Sequence, residues 1–505
     1  MKMRNKNIYI LFACAVALMG TGCKKILDQE VQGSYTPGNF FTSDANAILA
    51  TNAAYKSLSF NAGGNNAIWV LGDVASDDAI KGGNNGDQAD FDAVDKFNIL
   101  PTNAAVEAVW KNYYNGVFEC NVVLDGLGNG NTAISAGTAK SAIAQAKFLR
   151  AYYYFVLTNA YGKIPLHLRV ETALEAQTHA VSQDTIFAQI EKDCIAAAAD
   201  LPSGSGTDFG RATKGAAMAL LAKTYLFHTT LPNNYMLAAQ AAQAVETMGY
   251  SLTAKFYDNF SAPAKNNTEE IFSVNQIAGT LGLGNELNAW FAPRSLNGYG
   301  FFYPTQSLVD NFEKAPTGEV DPRLDYTVAR TGHSYFEIPF DPSWTSTGYL
   351  TKKMVQPLSE VPATTKNVGT VNYEALRLGD ILLVEAEALN ESGHSADALV
   401  PLNKVRKRAR ESYLYDNTLP GFGTVPAGLL PDITTTDQTQ LRTIIRRERR
   451  SELALEFHRF FDVIRYGSAY ATAALTPDAP NFNYNNNKFF PIPQSEIDAN
   501  PNIFK

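Results

Sequence analysis

Apolar residues recur at three- and four-residue steps in one segment after another of this 505-residue chain, and that periodicity commits most of it to amphipathic helices. Ala142, Ala146, Leu149, Tyr153 and Val156 draw one stripe. Ala216, Ala219, Ala222 and Leu226 repeat it with smaller side chains, and after a break at Pro232 residues 235–247 supply an alanine-rich partner. Small residues let two helix backbones approach closely. Leu378, Ile381, Val384 and Ala388 line a further helix, Gly393 marks a turn, and Ala398, Leu402, Val405 and Ala409 line the next.

Helix pairs of this kind cannot bury their faces singly, so they must stack. The hairpin Ala386-Glu387-Ala388-Leu389-Asn390-Glu391-Ser392-Gly393-His394-Ser395-Ala396-Asp397-Ala398 resembles a tetratricopeptide unit, and residues 222–242 do so more loosely. The expected fold class is mainly α: a tetratricopeptide-like helix-pair scaffold with long irregular loops and a few short strands. Residues 251–370 are rich in Gly, Pro, Asn and aromatics and hold only short strand-like runs such as 270–275; residues 411–439 form a second irregular stretch. Loops this long in a compact chain are usually functional or mobile.

The N-terminus reads as a lipoprotein export signal. Lys2, Arg4 and Lys6 precede an apolar run over residues 8–19, and Gly20, Thr21 and Gly22 lead to Cys23. The run is too short to span a bilayer. Acylation of Cys23 with several chains gives stable attachment, at about 0.8 kcal/mol per buried methylene. A rival box at Leu11-Phe12-Ala13-Cys14 would leave almost no apolar core, and an ordinary secretory signal with Cys23 left over is the plainer alternative. Residues 23–44 then form a polar tether, and 45–505 a single domain, with the scaffold in 45–250 and 371–505 and a loop-rich ligand-site insertion in 251–370. Without residues 1–22 the chain carries 39 basic and 50 acidic residues, a net charge of about −11, so nucleic acid is not an expected partner. Cys120 and Cys194 read as buried thiols, or as a disulfide that an exported location permits.

The densest charge cluster spans residues 446–467. Drawn as one helix, Leu453, Phe457, Phe460 and Ile464 form an apolar line, while Glu448, Glu452 and Glu456 form another, with Arg459 and Asp462 nearby. Like charges at four-residue steps repel unless neutralised. Arginine forks satisfy carboxylates at this density, so these five residues are read as structural ion pairs rather than as the paired carboxylates of a glycosidase.

This cluster resembles the C-terminal signature ERR-x-EL-x-x-E-x-x-R-x-x-D of the SusD/RagB family of outer-membrane nutrient-binding lipoproteins. Other segments agree in order: Cys23-Lys24-Lys25-Ile26-Leu27-Asp28, Asn39-Phe40-Phe41, Asn52-Ala53-Ala54-Tyr55, Lys147-Phe148-Leu149-Arg150-Ala151-Tyr152, Tyr161-Gly162-Lys163-Ile164-Pro165, Gly210-Arg211-Ala212-Thr213-Lys214, Leu402-Asn403-Lys404-Val405-Arg406 and Pro491-Ile492-Pro493. Each motif is weak; their joint order is specific. The resemblance implies four tetratricopeptide-like pairs, a loop-built ligand site, capture of oligosaccharides or sometimes peptides, a TonB-dependent outer-membrane transporter as partner, and no catalysis. It implies an outer-membrane, lipid-anchored protein facing the cell surface. Lys24 and Lys25 stand where some relatives carry an acidic export signal, which keeps the periplasmic face open as an alternative.

Enzyme motifs are sparse. The six histidines include no i,i+4 pair, and no nucleophile elbow or P-loop is present. No cofactor is expected; a structural calcium ion is a candidate at Asp73, Asp77, Asp78, Asp87, Asp90 and Asp92, which lack EF-hand spacing. Rings that stack on sugar C–H faces beside amide and charged hydrogen-bonding groups mark candidate ligand loops. Asn84, Asn85, Asp87 and Phe91 form the first, where the family often positions binding residues. Trp290, Arg294, Asn297, Tyr299, Phe301 and Tyr303 form the second, with Phe291 and Phe302 among them and Trp344 and Tyr349 at the rim. Trp69 and Trp110 are assigned to core. The reading is a glycan-binding lipoprotein feeding a transporter. Its rivals are a peptide-binding counterpart, an exported glycan hydrolase using Asp77 and Asp78, and a scaffold with no small ligand.

Overall fold

The computed structural model describes residues 40–60, 66–128, 130–204, 208–277, 283–361, 364 and 368–505. The export signal, Cys23 and the tether up to residue 39 lie outside the described residues.

Helix α1, Asp44–Tyr55, packs on two long helices, α2 (Ala104–Leu127) and α3 (Ala136–Tyr161). Then follow α4 (Gln183–Asp200), α5 (Lys214–Phe227), α6 (Asn234–Glu246), α7 (Leu378–Glu391), α8 (Ser395–Tyr415) and α9 (Gln438–Leu453). The starts are written in the sequence. Ser43, Asn103, Ser135, Ser182, Thr213 and Asp437 each accept a first-turn backbone N–H on a side-chain oxygen.

From α2 to α9 each helix packs on the next, and α3, α5, α7 and α9 also pack on one another in turn. The order makes four pairs: α2 with α3, α4 with α5, α6 with α7, and α8 with α9. The two hairpins legible in the sequence are the links between pairs, α5 to α6 and α7 to α8. The third pair is split, because residues 247–377 are inserted between α6 and α7. Close approach needs small residues where helices cross; a Cβ on Gly116 of α2 would stand 2.4 Å from the Tyr153 ring of α3. Helix α7 departs from a one-stripe pattern. Residues 378–390 are all buried, charged ones included, as befits a helix enclosed on every side. Cys120 and Cys194 are buried and unpaired, which excludes the disulfide. Trp69 and Trp110 lie in the core, each 3% exposed.

The insertion adds short antiparallel ladders. Strand β1 (Ala79–Gly82) pairs with β3 (Phe301–Pro304), β2 (Glu270–Val274) with β6 (Tyr373–Arg377), and β4 (Val328–Arg330) with β5 (Tyr349–Thr351). One continuous core runs from Phe41 to Phe490, and a satellite of Tyr303, Ala329, Tyr335, Phe340 and Leu350 sits under the ladders.

The 446–467 segment is not one helix. Helix α9 ends at Leu453, and a second helix, α10, covers Arg459–Arg465. Between them Leu455 and Phe457 take φ of 62° and 71°. The cause lies far away in the chain: Asp73, in the π-helical turn Val70–Val74, accepts the N–H groups of Phe457 at 2.7 Å and Arg459 at 3.1 Å. Gly72 makes room, since a Cβ there would stand 2.2 Å from the Phe457 carbonyl oxygen. The apolar line drawn on a single helix therefore divides. Phe457 packs against Phe60, Tyr373, Phe291 and Phe302, and Phe460 against Phe97 and Phe490.

The carboxylates of this segment enter a buried ionic lattice. Glu452 meets Arg377 at 2.6 Å, Arg323 at 2.9 Å and Arg408. Glu456 takes Arg377 at 2.7 Å and Lys353 at 2.8 Å; Glu448 takes Arg323 at 2.6 Å and Arg406 at 2.8 Å. Glu269 bridges Arg377 and Arg408, and Asp462 bridges Arg449 and Arg465. Burial pushes the Glu452 carboxyl up, but the charges of Arg408, Arg377 and Arg323 outweigh it and hold the group far below its usual range. Asp462 behaves alike under Arg449 and Arg465.

Two outcomes follow from this lattice. Glu452→Ala takes one carboxylate from each of three buried guanidinium groups and should cost about 3–5 kcal/mol in urea unfolding; a loss under about 1 kcal/mol would contradict the lattice. The unfolded chain takes up protons near the 4.5 of an ordinary glutamate that the folded lattice refuses. The urea midpoint should therefore fall as pH drops below that value, and less steeply in Glu452→Gln.

Candidate ligand-binding site

The β1–β3 ladder brings the two aromatic and amide clusters together. With Ile80 opposite Tyr303 and Gly82 opposite Phe301, the loop leaving β1 lies beside the loop entering β3. The turn requires glycine. Gly83 has φ of 69°, its N–H bonds the Gly300 carbonyl, and a Cβ would stand 2.7 Å from the Phe301 ring.

Trp290 is the hub. Its ring lies 5.3 Å from Tyr299, 5.4 Å from Phe301, 5.8 Å from Phe91 and 6.0 Å from Trp69, and it is half-buried. Around it Asn84, Asn85, Arg294 and Asn297 are exposed, and Asp87 and Tyr299 are half-buried. Asp87 accepts the Asn84 N–H at 2.8 Å and pairs with the Arg294 guanidinium, cross-linking the two loops. The Lys81 ammonium donates to the Asp87 carbonyl at 2.8 Å and braces the turn from below. The arrangement is a lip: a partly open indole on an aromatic floor, edged by amides and one exposed ion pair.

Three predicted contact residues belong to the floor instead. Phe91, Phe301 and Tyr303 are 8%, 3% and 4% exposed, because strand pairing turns them into the core, and a buried ring offers no face to a sugar. Burial raises the Tyr303 hydroxyl above its usual range, against the opposing charge of Arg294; the hydroxyl donates to the Trp344 carbonyl at 3.2 Å. Phe291 and Phe302 are likewise buried. Trp344 sits with the satellite cluster, 5.9 Å from Tyr335 and 5.8 Å from Phe340, and Tyr349 donates its hydroxyl to Gln306 at 2.6 Å.

Asp77 and Asp78 are buried and already paired with arginine. They are 3% and 1% exposed; Arg459 and Arg450 hold Asp77 at 2.7 and 3.1 Å, and Arg450 holds Asp78 at 2.7 Å. Burial raises the Asp77 carboxyl, yet Arg459 and Arg450 pull it below its usual range, whereas for Asp78 burial prevails. Asp73 is spent on two backbone N–H groups, Asp87 on Arg294, and Asp92 on Lys96 at 2.7 Å. Among the described residues no group of three or more His, Cys, Asp or Glu is arranged to hold a metal.

Sequence reasoning missed a cavity of about 480 Å³ between Tyr257, Tyr326, His333, Phe336 and Lys352. Its lining is gathered from stretches spread over some 160 residues, with no local motif to announce it.

The family model described as SusD family matches residues 251–505, and a second, described as starch-binding associating with outer membrane, matches residues 61–226. SusD-like protein P2 of Formosa agariphila is 27% identical, over 95% of this chain and 95% of the relative. Among solved structures, a laminarin binding SusD-like protein is 27% identical with a TM-score of 0.72, covering 92% of this chain and 98% of that one. Surface glycan-binding protein A from Bacteroides fluxus is 25% identical with a TM-score of 0.73, covering 91% and 97%.

The packing separates two kinds of lip residue. Trp290→Ala should cost about 2–3 kcal/mol of stability, less than the 3–5 of a fully buried ring, whereas Arg294→Ala breaks an exposed pair and should cost under about 1 kcal/mol. Urea unfolding of both variants tests the assignment, and equal losses would refute it.

Proposed function

The chain belongs to the SusD family, and from that premise we propose that it captures oligosaccharides at the outer membrane, anchored by lipid on Cys23 and facing the cell surface, and delivers them to a TonB-dependent transporter without altering them. The observation that carries the glycan reading is the lip. An indole with part of its surface open suits the C–H face of a sugar ring, and Asn84, Asn85, Arg294 and Asn297 are exposed where hydroxyls would reach them. Two similar structures are described as laminarin binding and surface glycan-binding, which supports the same cargo class. The hydrolase alternative loses its acids, because Asp77 and Asp78 are buried under arginine. Delivery needs release as well as capture, so a moderate affinity with a fast off-rate suits the task.

Calorimetric titration of the purified protein against laminarin oligosaccharides, other glycans and peptide pools, with product analysis, tests this. An intact glycan should bind, and the Asn84→Ala, Arg294→Ala double variant should weaken it at least about tenfold with little change in melting temperature. Cleaved product would make the protein an enzyme, and binding confined to peptides would change the cargo.

A further inference from the structure

The cavity between the insertion and the irregular stretch after α8 is separate from the lip, and its chemistry centres on one lysine. Lys352 follows β5, its N–H bonds the Thr327 carbonyl at 2.9 Å, and its ammonium lies 5.5 Å from the centre of the Phe336 ring. That ammonium donates one hydrogen bond, to the Asp325 carbonyl at 2.8 Å, and ion-pairs with no carboxylate among the described residues. Two of its three N–H donors are left for something else.

The charged neighbours are already committed. Asp325 is held by Arg330 at 2.7 Å and His333 at 2.8 Å. Asp416 accepts the Tyr326 hydroxyl at 2.7 Å and the Thr418 hydroxyl at 2.8 Å, with Lys255 at 3.4 Å. Glu337 accepts the Ser359 N–H at 3.1 Å. Lys352 is thus a wall cation with donors to spare and no carboxylate partner among the described residues, whereas Lys255 is paired with Asp416, in a space of about 480 Å³ that falls within the range of small-molecule sites. Half-buried Tyr257 and Phe336 supply ring faces in the same wall. We propose that this cavity is a second ligand site that takes a carboxylate-bearing sugar, a uronic acid unit, with the carboxylate on the Lys352 ammonium and the sugar ring against Tyr257 or Phe336.

Titration of Lys352 supplies a signature. Burial lowers its amine to about 8, against the raising charge of Asp325 and with the lowering charge of Arg330. A bound carboxylate favours the ammonium and raises it again. Binding should therefore take up protons as pH approaches 8, about half a proton per ligand at that pH, and should weaken at higher pH.

The test is titration of the purified protein, from pH 6 to 9, with a uronic acid disaccharide and with its neutral counterpart carrying a hydroxymethyl group in place of each carboxylate. The acidic sugar should bind at least about tenfold tighter, and Lys352→Met should remove that preference. Lys352→Arg should keep binding but lose the pH dependence, which serves should the Met variant misfold. Arg294→Ala, which disables the lip, should lower the affinity for both sugars alike while the preference for the acidic one survives and is still removed by Lys352→Met, so failure here and failure of the lip are distinguishable. Equal affinity for the acidic and neutral sugars, a preference unaffected by Lys352→Met, or a preference lost on Arg294→Ala would each overturn the proposal.

Discussion

The contact between Glu452 and Arg377, fully buried and shared with Arg323 and Arg408, is the joint on which the rest of the molecule hangs. Glu452 lies in the last turn of α9, Arg408 lies on α8, Arg377 ends β6, and Arg323 with Lys353 comes from the insertion. The lattice therefore binds the insertion to the fourth helix pair. Burying this much charge costs desolvation that an equal volume of apolar side chains would not. What ion pairs add is direction. Arginine forks accept carboxylates in few orientations, so the lattice sets how a loop-rich segment sits on a scaffold whose helices pack through small, weakly directional faces. The backbone is fitted to it: a Cβ on Gly379 would stand 2.4 Å from the Arg377 guanidinium and 2.6 Å from Glu452.

The lip is suspended from the same charges. The chain leaving Glu456 turns back under Asp73, and this turn brings Arg459 onto Asp77. Arg450, one helical turn before the end of α9, holds Asp78. Strand β1 begins at the next residue and carries the amide loop to its place beside Trp290. Aspartates that look like acids for hydrolysis in the linear sequence are instead the pins that fasten the proposed binding surface to a rigid interior. The molecule thus combines a fixed platform with an edge held by one exposed ion pair, Arg294 with Asp87, whose modest worth leaves it free to exchange with a ligand.

Much of this was legible in the chain. The stripes at 142–156, 216–226, 378–388 and 398–409 became helices, and the density of arginine and glutamate at 446–467 announced a buried ionic lattice. What was hidden depended on distant partners. The end of α9 is dictated by Gly72 and Asp73, more than 380 residues away; no local propensity encodes it, and the segment's own periodicity favours a continuous helix. Both aromatic clusters were visible, yet composition does not tell which ring faces water. Phe91, Phe301 and Tyr303 went inward once β1 met β3, while Trp290 stayed at the edge. The Lys352 cavity left no trace, since its walls come from residues as far apart as Lys255 and Pro420.

Amide hydrogen exchange with and without a saturating intact oligosaccharide addresses the lip most directly. The loops at 83–91 and 294–300 come from opposite sides of one ladder and should slow together on binding, with α9 and α10 unchanged because the lattice already protects them. Protection confined to another surface, with both loops exchanging as before, would contradict the lip as the site of capture.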